Sequence, residues 1–288
     1  MKSYFKKVSE YLFNSLEPNE ILILNFDAEQ TDFVRFNHAK IRQAGNVDQA
    51  TLTLSLVYKR KSLNSVIRLS LDYQKDSVLL LRTLYYLRRE IPELPQDPYL
   101  MYERNLNSFD IETKNKPLDS FNITDSILQG CHSLDMVGIL STGAIMKGFS
   151  NSLGQFNWHE SQSFNFDWSM YTDTGKAIKQ NYSNQVWDQN IFSSLLEESK
   201  QKLQVIDNKE QTIQPGEYRA YLSPSALNEI VDMLSWGGFS YKANKIGSSP
   251  LHLMMKGEKK LNKIVSFTED LSNGISPKFH SDGFIKPD

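Results

Sequence analysis

A single cysteine, Cys131, stands in a chain of 288 residues, so no internal disulfide can form and a reducing compartment is expected. No stretch approaches the run of about 18 apolar residues that a membrane span needs. The N-terminus, MKSYFKKVSEYLF, lacks the continuous apolar segment of a secretory signal. Neither sign of charge dominates: 32 Lys and Arg against 34 Asp and Glu leave a net charge of −2. That balance gives no reason to expect nucleic-acid binding. Internal repeats and low-complexity tracts are also missing. Together these absences lead to the expectation of a cytoplasmic protein without membrane or nucleic-acid partners. What is present suffices for a packed core, since 40% of residues are hydrophobic and 11% aromatic, which excludes global disorder. At about 150 residues per domain, the length suggests two.

An amphipathic helix is predicted over residues 2–16, with Tyr4, Phe5, Val8, Tyr11, Leu12 and Leu16 inward and Lys2, Lys6 and Lys7 solvated. Strands are predicted at 20–27, at 51–58 and at 65–71, with a strand–turn–strand over 31–43 that bends at Asn37-His38. A helix follows at 76–89. Pro92, Pro95, Pro98 and Pro117 make 91–118 a surface connection. Thr124 is the expected cap of a helix reaching Leu134. Residues 136–171 read as three strands of a meander, turning near Gly143 and near Ser152-Leu153-Gly154, and a long helix is expected over 184–205. The polar stretch IDNKEQ marks the expected boundary. Residues 1–210 would form an α+β domain, an antiparallel sheet with flanking helices, and 211–288 the start of a β-rich domain.

The densest local signals lie between 213 and 249. Pro215-Gly216 marks a turn, and 217–222 reads as a short strand with Tyr218, Ala220 and Leu222 on one face. Ser223 can cap a helix, and Pro224 suits its first position, where no N–H is required. Leu227, Ile230, Val231 and Leu234 recur at i, i+3, i+4 and i+7, one apolar stripe. Gly237-Gly238 supplies the stop.

This arrangement resembles the start of the C-terminal domain in the TldD/PmbA family of bacterial and archaeal metallopeptidases, the modulator-of-gyrase peptidases. The resemblance implies a helix bearing His-Glu-x-x-x-His, with a zinc site completed by a cysteine nearer the C-terminus. Here the motif falls on Asn228-Glu229-Ile230-Val231-Asp232-Met233, so only Glu229 matches. Neither Asn228 nor Met233 offers the imidazole nitrogen that zinc prefers, and Cys131 is far upstream. Residues five apart on an ideal helix also point about 140° apart. The resemblance is therefore to the metal-free, PmbA-type (TldE) member. GFSNSLGQF at 148–156 is similar to the family's Asn-Ser-Leu-Gly turn, and FVRFN at 33–37, followed by Gln43, to the strand pair that begins its sheet. REIPELPQDPY resembles the proline-containing stretch after its first helical layer. The phrase Phe279-His280-Ser281-Asp282-Gly283 resembles one that lies well inside the family's C-terminal β domain, with more strands beyond. The resemblance spans nearly the whole chain, yet the chain spans part of the family. A truncated, split or naturally shortened member is expected.

Other chemistry-bearing residues read more plainly as structure. Gly138 to Gly143 has Walker-like spacing but is followed by Ala144-Ile145 rather than Lys-Ser/Thr. Cys131-His132 has no base placed by the sequence, so Cys131 is expected to be a buried structural thiol. His159-Glu160 and Asp167 are expected on a solvent-facing strand. His252 is expected to pack on a strand. Glu229 and Asp232 lie off the apolar stripe and read as solvated acids.

The function implied by the resemblance is that of a non-catalytic subunit in a cytosolic peptidase complex. A TldD-like catalytic subunit would carry the zinc, and this chain would bind no cofactor of its own. The complex would degrade or process small or unfolded peptides, held by strand addition at a sheet edge. Zinc chemistry would need a metal-bound water for Glu229 to deprotonate, and this chain lacks the ligands. Two other readings stand beside it: a stand-alone peptide-binding module, and an active peptidase with an unrecognised site.

Overall fold

The computed structural model describes residues 1–112, 118–268, 270, 271 and 275–287. In chain order the elements are α1 (Lys2–Phe13), β1 (Ile21–Asn37), β2 (Lys40–Tyr58), β3 (Lys61–Leu69), α2 (Tyr73–Glu90), β4 (Asp110–Ile111), α3 (Ser120–Gly130), β5 (Met136–Asn151), β6 (Phe156–Tyr171), β7 (Ala177–Asn184), α4 (Gln189–Ile206), α5 (Pro224–Ser235), α6 (Tyr241–Lys245) and α7 (His252–Met255). They fall into two compact units, residues 1–208 with 270–288, and residues 209–269.

The first unit is an α+β layer built on one sheet, ordered β3-β2-β1-β5-β6, with β4 and β7 both pairing with β6. All pairs are antiparallel except the short β4–β6 bridge. Because side chains alternate with a period of two, even-numbered positions of β1, β5, β6 and of β2 beyond its bulge at Arg42 reach one face. That face holds the core. Leu22, Leu24, Phe26, Leu52, Leu54, Leu56 and Trp158 pack under Phe5, Val8 and Leu12 of α1 and Leu80, Leu84 and Leu87 of α2. Further along the same strands, Phe36, Met136, Leu140, Phe166 and Trp168 pack under Ile123 and Ile127 of α3 and Phe192 and Leu196 of α4. Among the described residues of this unit no helix packs on the odd-numbered face, which is rich in Ser, Thr and Asn. At one end, 275–287 crosses it, where Phe279 packs against Ile23, Val57 and Phe149.

Several expected elements changed. Residues 20–27 and 31–37 join into one strand of 17 residues, and 40–58 into one of 19. The only reversal is at His38 and Ala39, both at positive φ. Gly143 turns nothing; it sits mid-strand between Thr31 and Ser163. A Cβ there would lie 2.2 Å from the Gln30 carbonyl oxygen, so glycine is required by close backbone approach. The cap of α3 is Asp119, which accepts from Asn122 N–H, while Thr124 is buried in the helix. β7 was not foreseen, because AIKQNYSN carries a single buried side chain, Tyr182.

In the second unit the expected strand at 217–222 does not form, since the described residues offer it no partner for its backbone groups. The expected strand beginning at His252 is instead α7, a segment of Leu and Met without β-branched residues. No strand forms among the described residues of 263–270; Glu269 lies outside them, as does Pro117. The helix expected after Ser223 is present as α5. The Ser223 hydroxyl accepts from Ala226 N–H and Pro224 occupies the first turn.

Candidate functional site

The helix singled out by its sequence presents its motif positions without bringing them together. Asn228 donates through Nδ2 to Asp232 Oδ2 at 3.0 Å, so its amide is held by the next turn of its own helix. Glu229 is exposed, and Met233 is 68% exposed. An amide, a carboxylate and a thioether arranged this way do not fit zinc. Cys131 belongs to the other compact unit. Among the described residues no group of three or more His, Cys, Asp and Glu side chains is placed to hold a metal ion. No residue of α5 is buried: Leu227 and Ile230 are exposed and Leu234 is half-buried, so the apolar stripe is only partly covered.

The family-like turn at 151–154 has a structural explanation. Asn151 Oδ1 accepts from the N–H groups of Leu153 and Gln155, at 3.1 and 3.0 Å. Its Nδ2 donates to Gln155 Oε1. Gln155 Nε2 in turn donates to the carbonyls of Asn107 and Gly283, at 3.0 and 2.8 Å. Both side chains are almost wholly buried. One asparagine thus shapes the hairpin, and one glutamine ties two remote segments to it.

Beside this knot lies a cavity of about 490 Å³ between the odd-numbered sheet face and the 277–286 segment. Asn25, Asp27, Thr53, Asn64 and Lys147 line its floor and His280 its wall. Asp27 is ion-paired to Lys147. Asn25 Nδ2 donates to the Ser281 carbonyl at 3.0 Å. Asp282 lines the cavity as well, with its Oδ2 3.3 Å from His280 Nδ1, so the cavity can hold a polar group between an ion pair and an imidazole–carboxylate pair.

His159, expected on a solvent-facing strand, is buried beneath that same segment. It donates from Nε2 to the Ile275 carbonyl at 2.9 Å, which leaves Nδ1 the bare nitrogen, buried without a partner among the described residues. Burial first, and the nearby Lys286 second, push its pKa below the usual 6.5, against the opposing effect of the Ile275 bond. Asp167, eight residues further along β6, accepts from the amides of Asn165 and Asn181, at 2.8 and 2.9 Å. The pair does not form an acid–base couple. Cys131 is buried, and burial pushes its thiol up to about 12, so it is no thiolate nucleophile at neutral pH. His132 faces Ser133 at 2.8 Å rather than the thiol. His252 bonds the Asn244 carbonyl at 3.0 Å from the start of α7. The sequence reading passed over Asn25, Asp27 and Lys147; an Asn-x-Asp alternation inside an apolar strand was the available signal.

No protein-family model matches the sequence, and no curated protein matches it significantly. Solved structures do. A candidate modulator of DNA gyrase from Thermotoga maritima aligns with a TM-score of 0.68 at 11% identity, covering 86% of this chain and 58% of that one. TldE from Thermococcus kodakarensis aligns at 0.64 with 10% identity, over 98% of this chain and 66% of that one. A candidate modulator of DNA gyrase from Bacteroides thetaiotaomicron aligns at 0.61 with 14% identity, over 99% and 68%. The chain therefore spans less than two thirds of the length of the first two. Among the described residues no helix is long and apolar enough to cross a membrane. From residues 1–208 and their sheet through to the capped helix α5, this chain has the fold expected from its resemblance to the TldD/PmbA family.

Proposed function

We propose that the chain acts as a metal-free, TldE-like subunit of a cytoplasmic peptidase complex that degrades or processes small or unfolded peptides. A TldD-like partner would supply the zinc and the catalytic water. The observation that supports this reading is α5, a capped helix on a fold shared with TldE over 98% of this chain; on the sequence resemblance Asn228 and Met233 fall at its ligand positions. The outer edge of the sheet at β3 offers backbone groups that an extended peptide can pair with. Co-expression with a TldD-like subunit, followed by size exclusion, tests the proposal. A stoichiometric complex that hydrolyses unfolded peptides, with zinc accounted for by the partner alone, is expected. Separate elution, or peptide hydrolysis by this chain in isolation, would overturn it.

A further inference from the structure

We propose that the odd-numbered face of the sheet binds an extended acidic peptide through Arg35, Arg42 and Lys179. These cations line a groove of about 380 Å³ whose floor is Val137, Gly138 and Ile139 of β5. Arg42 is there because of a β-bulge: Arg35 pairs with Gln43 and Phe36 with Ile41, so Arg42 is the extra residue. Bulges re-aim side chains, and this one sets two guanidinium groups in one groove. Among the described residues none of the three cations has a hydrogen-bond or ion-pair partner. The single carboxylate in the groove, Asp167, is already bonded by the amides of Asn165 and Asn181. Three unpaired cations against one satisfied acid, in a chain of net charge −2, concentrate positive charge where no internal group uses it.

The geometry selects the ligand. Arg35 stands on β1 and Lys179 on β7, separated by β5 and β6 along the register Arg35, Ile139, Asp167, Asn181. Three strand spacings of about 4.8 Å put the two rims about 14 Å apart. One phosphate or carboxylate does not bridge that gap. An extended peptide rises about 3.3 Å per residue and repeats its face every second residue, so acidic side chains four positions apart meet both rims. An apolar residue between them would rest on Val137 and Ile139. A single-stranded nucleic acid fits less well, because the aromatic rings here, Phe36 and Trp168, are buried and give bases nothing to stack on.

This inference deepens the peptide-handling reading by naming a class of peptide. The test is fluorescence anisotropy of the full chain with two labelled Thr/Val peptides, one with Asp at positions four apart and one with Lys there. The acidic peptide is expected to bind at least tenfold more tightly at low ionic strength and to weaken as salt is added. Substituting Arg35→Ala, Arg42→Ala and Lys179→Ala together is expected to remove at least tenfold of that affinity without altering the melting temperature, since the three side chains are exposed. Equal affinity for both peptides, or unchanged binding by the triple variant, would overturn the proposal. Tighter binding of a single-stranded oligonucleotide that displaces the peptide would overturn it too. A chain that binds the acidic peptide this way yet never co-elutes with a catalytic subunit refutes the subunit reading alone; the converse result refutes the groove alone.

Discussion

At the scale of single residues, the polar groups that matter most are the buried ones. Replacing Asn151 by Ala removes two acceptor contacts to backbone N–H groups and takes from the buried Gln155 Oε1 its Asn151 donor. A loss of about 2–4 kcal/mol is expected in urea unfolding. His159 gives a pH signature. Its folded pKa is depressed below 6.5 by burial, so on acidification the unfolded chain takes up the proton first. Its contribution is present above about pH 6.5 and is lost as pH falls through that value toward the lower folded pKa. Melting temperatures measured from pH 7.5 down to 5 should therefore fall more steeply for the parent chain than for His159→Gln. Glu229 is exposed; Glu229→Gln is expected to change peptide hydrolysis by a reconstituted complex by less than about twofold. The sequence already marked Glu229 as a solvated acid, by its place off the apolar stripe. It could not mark His159 as buried, because the segment that covers it arrives from more than a hundred positions further along.

At the scale of elements, local chemistry and long-range packing divided the work. The cap and stop of α5 were legible because they depend on neighbours within four residues. The ends of β1, β2, β5 and β6 were not, since strand length is set by partner strands. Gly143 is the clearest case: a glycine that suggests a turn in one dimension is a point of backbone contact in three. Gly143→Ala should lower stability by about 3 kcal/mol or prevent soluble expression, whereas the φ-positive turn glycine Gly257, with open space around it, should resist substitution only through its backbone. The link between α1 and α2 offers a second test. Arg88 donates to both carboxylate oxygens of Glu20, at 2.7 and 2.8 Å, and to the Ser15 carbonyl. Burial raises the Glu20 pKa, but Arg88 and the Glu17 backbone N–H together outweigh it and hold the carboxyl below its usual range. Arg88→Ala leaves that carboxylate buried at 4% exposure without its cation. A loss of about 3 kcal/mol is expected by chemical denaturation.

At the scale of the whole molecule, the chain returns to its beginning. Residues 270–288 belong to the compact unit of residues 1–208 rather than to the 209–269 unit before them. Phe279 is the anchor, buried against Ile23, Val57 and Phe149. Phe279→Ala should destabilise this unit by about 3–4 kcal/mol, read as an earlier transition in thermal unfolding. The sequence by itself determined the alternation that puts one face of every long strand inward, the helix caps, and the absence of zinc-binding side chains at 228 and 233. These follow from period, residue type and neighbours a few positions away. Only the tertiary structure decided that His159 is covered, that Asn151 and Gln155 knot three segments together, and that Arg35, Arg42 and Lys179 share one groove. Each of those depends on which strands pair and in what register, and register is fixed by contacts between residues far apart in the chain.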